Sequence, residues 1–556
     1  MTSNRNVIIS DSESEEDPYS GSSDDDEDNQ PIDAETEEEG EESEDELVCA
    51  TQEEREQAIL QPNTWILSKD KKIQYSRDDC PPDTRRKSIP TIHKVSAFLL
   101  FLKPIETIVL DMTNLYGLRK FKETWENIDL VTLRAYFGLL LLAGVYRSKG
   151  ECMTELWDDK RGRPIFRATM SLKYFKYLNS CIRFDDKEDR LDRLARDKLA
   201  AIRNVFDKWN KNLRTMYVVG DCVTVDEQLI PFRGKSPFTQ YIPSKPYKYG
   251  IKAWALCDSR TFYAYNMQIY TGRDRNCAPE TKQGKRVVLE LTDELSGRNV
   301  TCDNFFTSYE LAKELKQRKM TIVGRKNRKE IPPILLDMKR KPQYHSEFVF
   351  DHNLRLTMVS YIPKKNRCVT LLSTLHTKKL LYDTQEKKPD IIHYYNKTKS
   401  GVDVLDERVG TYRCKRKVNR WPMAIFENML DVSVFNAFVI FTELNPEWKE
   451  REKKYRRRLF IIDVAEDLVM PYIEVRKRTP RSEHANAVVQ MIRGVPSDPS
   501  SSRASGVLEK LPPANKRSRC HICTSKNNSN LYRSRCDMCK KYICAQHFFK
   551  ICDKCT

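Results

Sequence analysis

Three short acidic segments hold the residue types that could do chemistry: Thr224-Val225-Asp226-Glu227-Gln228, Thr301-Cys302-Asp303-Asn304-Phe305 and Gly401-Val402-Asp403-Val404-Leu405-Asp406. Each sets a carboxylate where a strand ends or a helix begins. Asp403 and Asp406, three residues apart, share one face of a helix. Carboxylates are hard oxygen ligands that suit Mg2+ or Mn2+, ions that keep several waters for a substrate phosphate. Two such ions about 4 Å apart clamp both oxygens of a phosphodiester during in-line displacement. We therefore expect Asp226, Asp303, Asp403 and Asp406 to form one centre with two divalent ions. Taken singly, each aspartate also reads as a cap or a surface charge; the ordered set is what points to a site.

The flanking pattern supplies elements to position them. At Val223 the apolar period becomes two, and Val223–Val225, Lys252–Cys257 and Phe262–Ile269 read as strands joined through Asp258-Ser259-Arg260. A helical stretch, Val287–Leu295, precedes a short strand, Asn299–Cys302, and helix Tyr309–Arg318 leads into Met320–Val323. Three antiparallel strands followed by alternating helix and strand describe an α/β layer fold of the RNase H type. Asp226 then ends the first strand and Asp303 the fourth, and these strands can lie side by side. Residues 90–215 are helical, with Leu, Phe and Tyr at three- and four-residue spacing in Val95–Leu102, Leu130–Tyr146 and Leu172–Ile182; such stripes read as core. Helix returns over Lys399–Phe441, and Trp448–Leu459 reads as a basic helical stretch. Residues 330–390 are mixed, with scattered strands, and carry no legible motif.

Charge divides the chain sharply. Residues 1–50 hold 20 acidic residues and one basic, Arg5, so the other 506 carry 95 basic and 60 acidic, a net +35. That surplus favours a polyanionic partner, since each Lys or Arg on a phosphate releases a counterion; a merely solvated basic surface is the alternative. Residues 1–55 are too polar to bury a core and should be disordered, serving to screen the basic surface or to solubilise. Ser10, Ser12 and Ser14 lie among acids, as substrates of an acid-directed kinase do. The N-terminus has no apolar signal core. The apolar run Ala135–Tyr146 is shorter than the ~20 residues of a bilayer span, and Ala424–Phe441, interrupted by Glu427, Asn428, Asp431 and Asn436, reads as a buried helix.

Seven of the 17 cysteines crowd into residues 517–556. Cys520-x2-Cys523, Cys536-x2-Cys539, Cys544-x2-His547 and Cys552-x2-Cys555 supply ligands for two tetrahedral zinc ions, with a cross-brace as the usual arrangement of such pairs. About 40 residues are too few to fold without the metal. An inert zinc knot and a RING-type ligase are alternatives to DNA recognition, which the surrounding Lys516, Arg517, Arg519, Arg533, Arg535, Lys540 and Lys541 suit better.

Several longer motifs resemble piggyBac-type transposases. They are Asp226-Glu-Gln-Leu-Ile-Pro-Phe-Arg-Gly-Lys235, Tyr241-Ile-Pro-Ser-Lys-Pro-Tyr-Lys-Tyr-Gly-Ile-Lys252, Thr301-Cys-Asp-Asn-Phe-Phe-Thr-Ser308, Tyr394-Tyr-Asn396 with Gly401-Val-Asp403, and Asn419-Arg-Trp-Pro422. The similarity covers roughly residues 90–556. It implies a nuclear, dimeric, cut-and-paste DNA transposase that nicks transposon ends, closes them as hairpins and inserts at TTAA with scarless excision. Asp226, Asp303 and Asp403 match the family's catalytic aspartates and Asp406 an assisting one. Phe305 stands where several members have Trp. The resemblance further implies an acidic region (1–80), a helical dimerisation and DNA-binding domain (81–220 and 413–495) and a catalytic core (221–329 and 391–412). An insertion domain (330–390), a linker (496–516) and a zinc domain that reads transposon ends (517–556) complete it.

Candidate DNA contacts are Arg233, Lys235, Lys248 and Lys252, to grip phosphate or offset phosphorane charge, and Asn304, to hold the turn or, by the resemblance, to read target bases. Lys415-Arg416-Lys417 through Arg420 form another DNA contact or a nuclear signal; Arg476-Lys477-Arg478 and Lys516-Arg517-Ser518-Arg519 leave the same choice open. The expected partners are double-stranded DNA and a second copy of the chain, with neither membrane nor small-molecule substrate. A host-domesticated derivative that binds DNA without cutting is the rival reading.

Overall fold

One long strand, Cys222–Pro231 (β1), runs through the sheet, its buried runs Val223–Val225 and Gln228–Ile230 separated by the half-buried Asp226 and Glu227. The computed structural model describes residues 93–243, 245–272, 280–326, 330–338, 341–351, 353–416 and 418–494, with Arg519, 531–533 and Tyr542 beyond them. The chain divides into two units, 1–495 and 496–556, and every element below falls in the first. The expected acidic region, its serines, Lys417 and the eight zinc ligands lie outside the described residues.

The four longest helices before β1 are Lys94–Phe121 (α1), Leu130–Val145 (α2), Leu172–Cys181 (α3) and Arg203–Met216 (α4). Asp129 and Ser171 cap α2 and α3, accepting the backbone N–H of Thr132 and Tyr174. The strands then follow: Thr239–Tyr241 (β2), Tyr249–Asp258 (β3) and Ala264–Ile269 (β4). Helix Gln283–Leu291 (α5), strand Asn299–Cys302 (β5), helix Tyr309–Gln317 (α6) and strand Thr321–Arg325 (β6) complete this stretch.

β1 pairs antiparallel with β3 and parallel with β5, β5 pairs parallel with β6, and β4 pairs antiparallel with β3. Beyond them, Ser346–Asp351 (β7), Leu356–Lys364 (β8) and Arg367–Ser373 (β9) form an antiparallel set. β9 pairs with β6, so residues 346–373 extend the same sheet, in the order β2-β3-β1-β5-β6-β9-β8-β7. Helices Asp390–Thr398 (α7) and Gly401–Thr411 (α8) return to β1, and Trp421–Leu444 (α9), Arg456–Val475 (α10) and Glu483–Ile492 (α11) follow.

α9 is the buried helix the sequence suggests: 94% of its most apolar window is covered by the protein. Its polar residues are spent internally. Asn436 exchanges two hydrogen bonds with the backbone of Ala264, and Ser433 accepts the indole N–H of Trp209 at 2.9 Å. The basic stretch 448–459 is less helical than expected. A single 3-10 turn, Glu450–Glu452, is followed by α10, which starts only at Arg456. Lys449 adopts a left-handed backbone, which breaks the helix at the start of this stretch.

Candidate active site

β5 stops where Cys302 pairs with Val225, while β1 continues along β3. The next residue on each strand is an aspartate, so Asp226 and Asp303 stand at a fork in the sheet. Asp226 is thus in mid-strand, not at a strand end as expected, because pairing with β3 runs on from Asp226 to Pro231. Its Oδ1 accepts the Glu227 N–H at 2.8 Å. Asp303 opens a tight turn: Oδ1 accepts the Phe305 N–H at 3.0 Å and its carbonyl accepts the Thr307 hydroxyl at 2.6 Å.

Thr224, Asp226 and Gln228 share one face of β1 by the strand's period of two, and α7 and α8 dock on that face. The Thr224 hydroxyl donates to the Thr398 carbonyl at 2.6 Å. A Cβ at Gly401 would lie 2.5 Å from Thr224 Oγ1, so only glycine lets the first turn of α8 come this close. Gln228 accepts from Asn428 Nδ2 at 3.1 Å and donates to Asp406 Oδ1 at 3.4 Å. Asp403 and Asp406 are thereby carried towards Asp226.

The electrostatics show negative charge gathered with little to offset it. Burial pushes the Asp226 carboxyl well above the usual range, and the charges of Asp303 and Asp403 add to the rise. Burial raises Asp303 as well, followed by the charge of Glu227, while backbone N–H groups of Phe305 and Phe306 oppose the rise. Asp406 is raised by burial against the pull of Lys245 and Arg413. Lys245 is the local cation: its ammonium donates to the Glu227 carbonyl at 3.1 Å and stands 3.5 Å from Asp403 Oδ1. The Asp403 side chain is otherwise exposed. Among the described residues no three Asp, Glu, His or Cys side chains stand close enough to hold an ion in this conformation.

Of the basic candidates, Arg233, Lys235 and Lys248 are exposed, as is Asn304. The others turn inward. Lys252 is buried in a 2.9 Å ion pair with Glu227, 5.3 Å from the Phe305 ring centre. Lys415 donates to the Pro231 carbonyl, and Arg416 to the Lys415 carbonyl at 3.0 Å. Arg420 donates to the carbonyls of Asn179 and Ile182, both at 2.7 Å, placing its charge on the C-terminal end of α3. In this conformation these four brace the fold. Lys245 and Gln228 are site residues that the sequence reading did not single out. Gln228 was accessible through its spacing from Asp226; Lys245 lies in a loop beside Pro243 and Pro246, where no period applies.

The matches with known proteins agree with this architecture. Residues 94–438 match the family described as Transposase IS4, which makes the chain a member of a transposase family. It belongs, more narrowly, to the piggyBac-type transposases. A solved piggyBac transposase synaptic complex with hairpin DNA is 32% identical, with a TM-score of 0.67 over 85% of this chain and 99% of that one. The human PiggyBac transposable element-derived protein 3 is 22% identical over 516 residues, 87% of this chain and 82% of that protein. The human PiggyBac transposable element-derived protein 2 is 20% identical over 424 residues, 71% of this chain and 70% of its own.

Proposed function

We propose that the chain is an active cut-and-paste DNA transposase whose catalytic set is Asp226, Asp303, Asp403 and Asp406 in an RNase H-like core. The observation that supports this most is the sheet fork, where Asp226 and Asp303 meet and α8 brings two more carboxylates. The strand order, three antiparallel strands joined to two parallel ones, is the arrangement expected of such a core.

The donor set fits Mg2+ or Mn2+, two per site: it is all carboxylate, and its repulsion and burial leave a deficit of positive charge. Coordination requires Asp403, which is exposed, to turn from Lys245 towards the fork. Divalent ions there would lower the pKa of an attacking water or 3′-hydroxyl and stabilise the leaving oxygen. Gln228 holds Asp406 in orientation, Lys245 offsets carboxylate charge, and the exposed Arg233, Lys235 and Lys248 grip phosphate. Asn304, beside Asp303, reads target bases.

In this reading the chain also makes hairpin ends, a form of DNA named in the solved piggyBac complex, inserts at TTAA with scarless excision, and acts as a homodimer in the nucleus. Cys520, Cys523, Cys536, Cys539, Cys544, His547, Cys552 and Cys555 would hold two zinc ions in a module that recognises transposon ends. A second reading, DNA binding without cleavage, draws on the names of the human relatives as element-derived proteins. An excision assay decides. Cells carry a donor plasmid with a marker between the inverted repeats flanking this gene, set in TTAA, and express wild type or Asp303→Ala. Excision by wild type alone with intact single TTAA junctions establishes the transposase. No excision by stable nuclear protein that binds those ends establishes the non-cutting reading.

A further inference from the structure

Two arginines from separate segments meet at the ring of Tyr412, at the C-terminal end of α8, and a third, Arg408, acts on one of them through its charge. The guanidinium of Arg147, just past α2, lies 5.4 Å from the Tyr412 ring centre, and that of Arg457, in the first turn of α10, lies 4.9 Å from it. Arg408 sits four residues before Tyr412, the spacing that puts two side chains on one helix face. Among the described residues none of the three guanidiniums has an ion pair or donates a hydrogen bond. The platform is firm: a Cβ at Gly144, near the end of α2, would lie 2.3 Å from the Tyr412 carbonyl oxygen.

We propose that Arg147, Arg408 and Arg457 form a phosphate clamp that grips the backbone of a DNA duplex outside the catalytic centre. The inference rests on the transposase reading and adds to it a binding site for a flanking phosphate. Guanidinium is the side chain best shaped for phosphate oxygens, and Tyr412 fixes two of the three by cation–π contact. Like charges pressed together with no ion pair among the described residues are costly in the free protein. Burial first, then the charge of Arg408 and with it that of Arg147, pulls the Arg457 guanidinium down to about 10; Glu407 and the Tyr412 phenol are the groups that oppose this. A bound phosphate would relieve that repulsion. The basic surface continues through Arg458 and Lys454, which also lack an ion pair among the described residues, as suits a polyanion better than a single small anion. Tyr412 lies six residues past Asp406, about 9 Å along the helix at 1.5 Å per residue. Set that far along α8, the clamp would hold a flanking phosphate and not the scissile one.

The test is anisotropy of a labelled duplex in EDTA, where binding is read without cutting, across a salt series. Arg408→Gln/Arg457→Gln is compared with wild type and with Arg457→Lys. The double variant should bind at least tenfold more weakly at low salt, and its log–log salt slope should shrink by roughly 2, about 0.9 per lost phosphate contact. Arg457→Lys should keep most of the slope, and the melting temperature of the double variant should stay level or rise. If the double variant does not fold, the exposed Arg147→Gln should shrink the slope by about 1. An unchanged slope and affinity overturns the clamp. So does melting-temperature stabilisation by inorganic phosphate through these arginines with no effect on the duplex slope. Protein that excises but binds duplex without these arginines loses only the clamp; protein that binds through them and never cleaves loses only the transposase activity.

Discussion

The ammonium of Lys245 stands 3.5 Å from Oδ1 of Asp403 and reaches the Glu227 carbonyl at 3.1 Å, so a loop lysine supplies positive charge to a carboxylate centre. Carboxylate charge in turn holds that ammonium above its usual range against the downward effect of burial. Replacing Lys245 by Ala should therefore increase repulsion among Asp226, Asp403 and Asp406. The metal-free protein should melt lower, and Mn2+ should raise its melting temperature by more than it raises the wild type's. Cleavage should slow on the order of 10²-fold, as when one charge-stabilising donor is lost. A thermal-shift titration in Mn2+ reads the first effect; an equal Mn2+ response in both proteins would refute it.

Gly401→Ala tests the docking of α8. The added methyl meets the Thr224 hydroxyl at 2.5 Å, and the overpacking should cost about 1–3 kcal/mol in denaturant unfolding. Cleavage should fall much further than DNA binding, because the displaced helix carries Asp403 and Asp406. Equal losses in both would mean that the effect is only one of folding.

Gln228 links Asn428 to Asp406 and so orients one carboxylate of the proposed set. Its Ala variant should lower cleavage or metal affinity roughly 10–100-fold, the usual cost of losing a partner that orients a ligand. Duplex affinity in EDTA should not change. Gln228→Glu restores the acceptor for Asn428 but not the donor for Asp406, so it should fail to rescue.

Asp431, buried in α9, gives a pH signature remote from the fork. Burial pushes its carboxyl from 3.8 up to about 7, while the Cys414 N–H, donated at 2.9 Å, opposes the rise. The folded value is above the unfolded one, so the folded protein holds the extra proton between them. Its stability contribution is full below about pH 4 and is lost as pH rises through about 7. At about 1.4 kcal/mol per pKa unit this one group matters. Asp431→Asn, still able to accept from Cys414, should flatten that part of the stability profile in urea melts from pH 5 to 8, shown as a smaller wild-type-to-variant gap at the acid end. A parallel profile would exclude Asp431 as its source.

That Asp226 and Asp303 come side by side was legible because β1 and β5 could be read as strands able to lie next to each other, as they do. The extent of β1 was not: Glu227 looks like a place to stop a strand, and only pairing with β3 carries it on to Pro231. The inward turn of Lys252, Lys415 and Arg420 was hidden for a related reason. A basic residue reads as surface unless its partner is known, and these partners are a carboxylate one strand away and backbone carbonyls up to 241 residues distant. Residues 346–373 gave weak strand signals, yet β9 joins the sheet through β6 by contacts between segments that no local pattern records.

The ion pair between Lys94 of α1 and Asp463 of α10 spans 369 residues. Chain elongation at about 5–20 residues per second means that Lys94 waits roughly 20–70 s for Asp463 to be synthesised. Trp209 likewise waits for Ser433, 224 residues later. During that interval the part of the first helices that α9 and α10 will cover is left apolar and open on a nascent chain. Yield of folded protein should therefore depend on holdase chaperones and on translation speed more than on final stability.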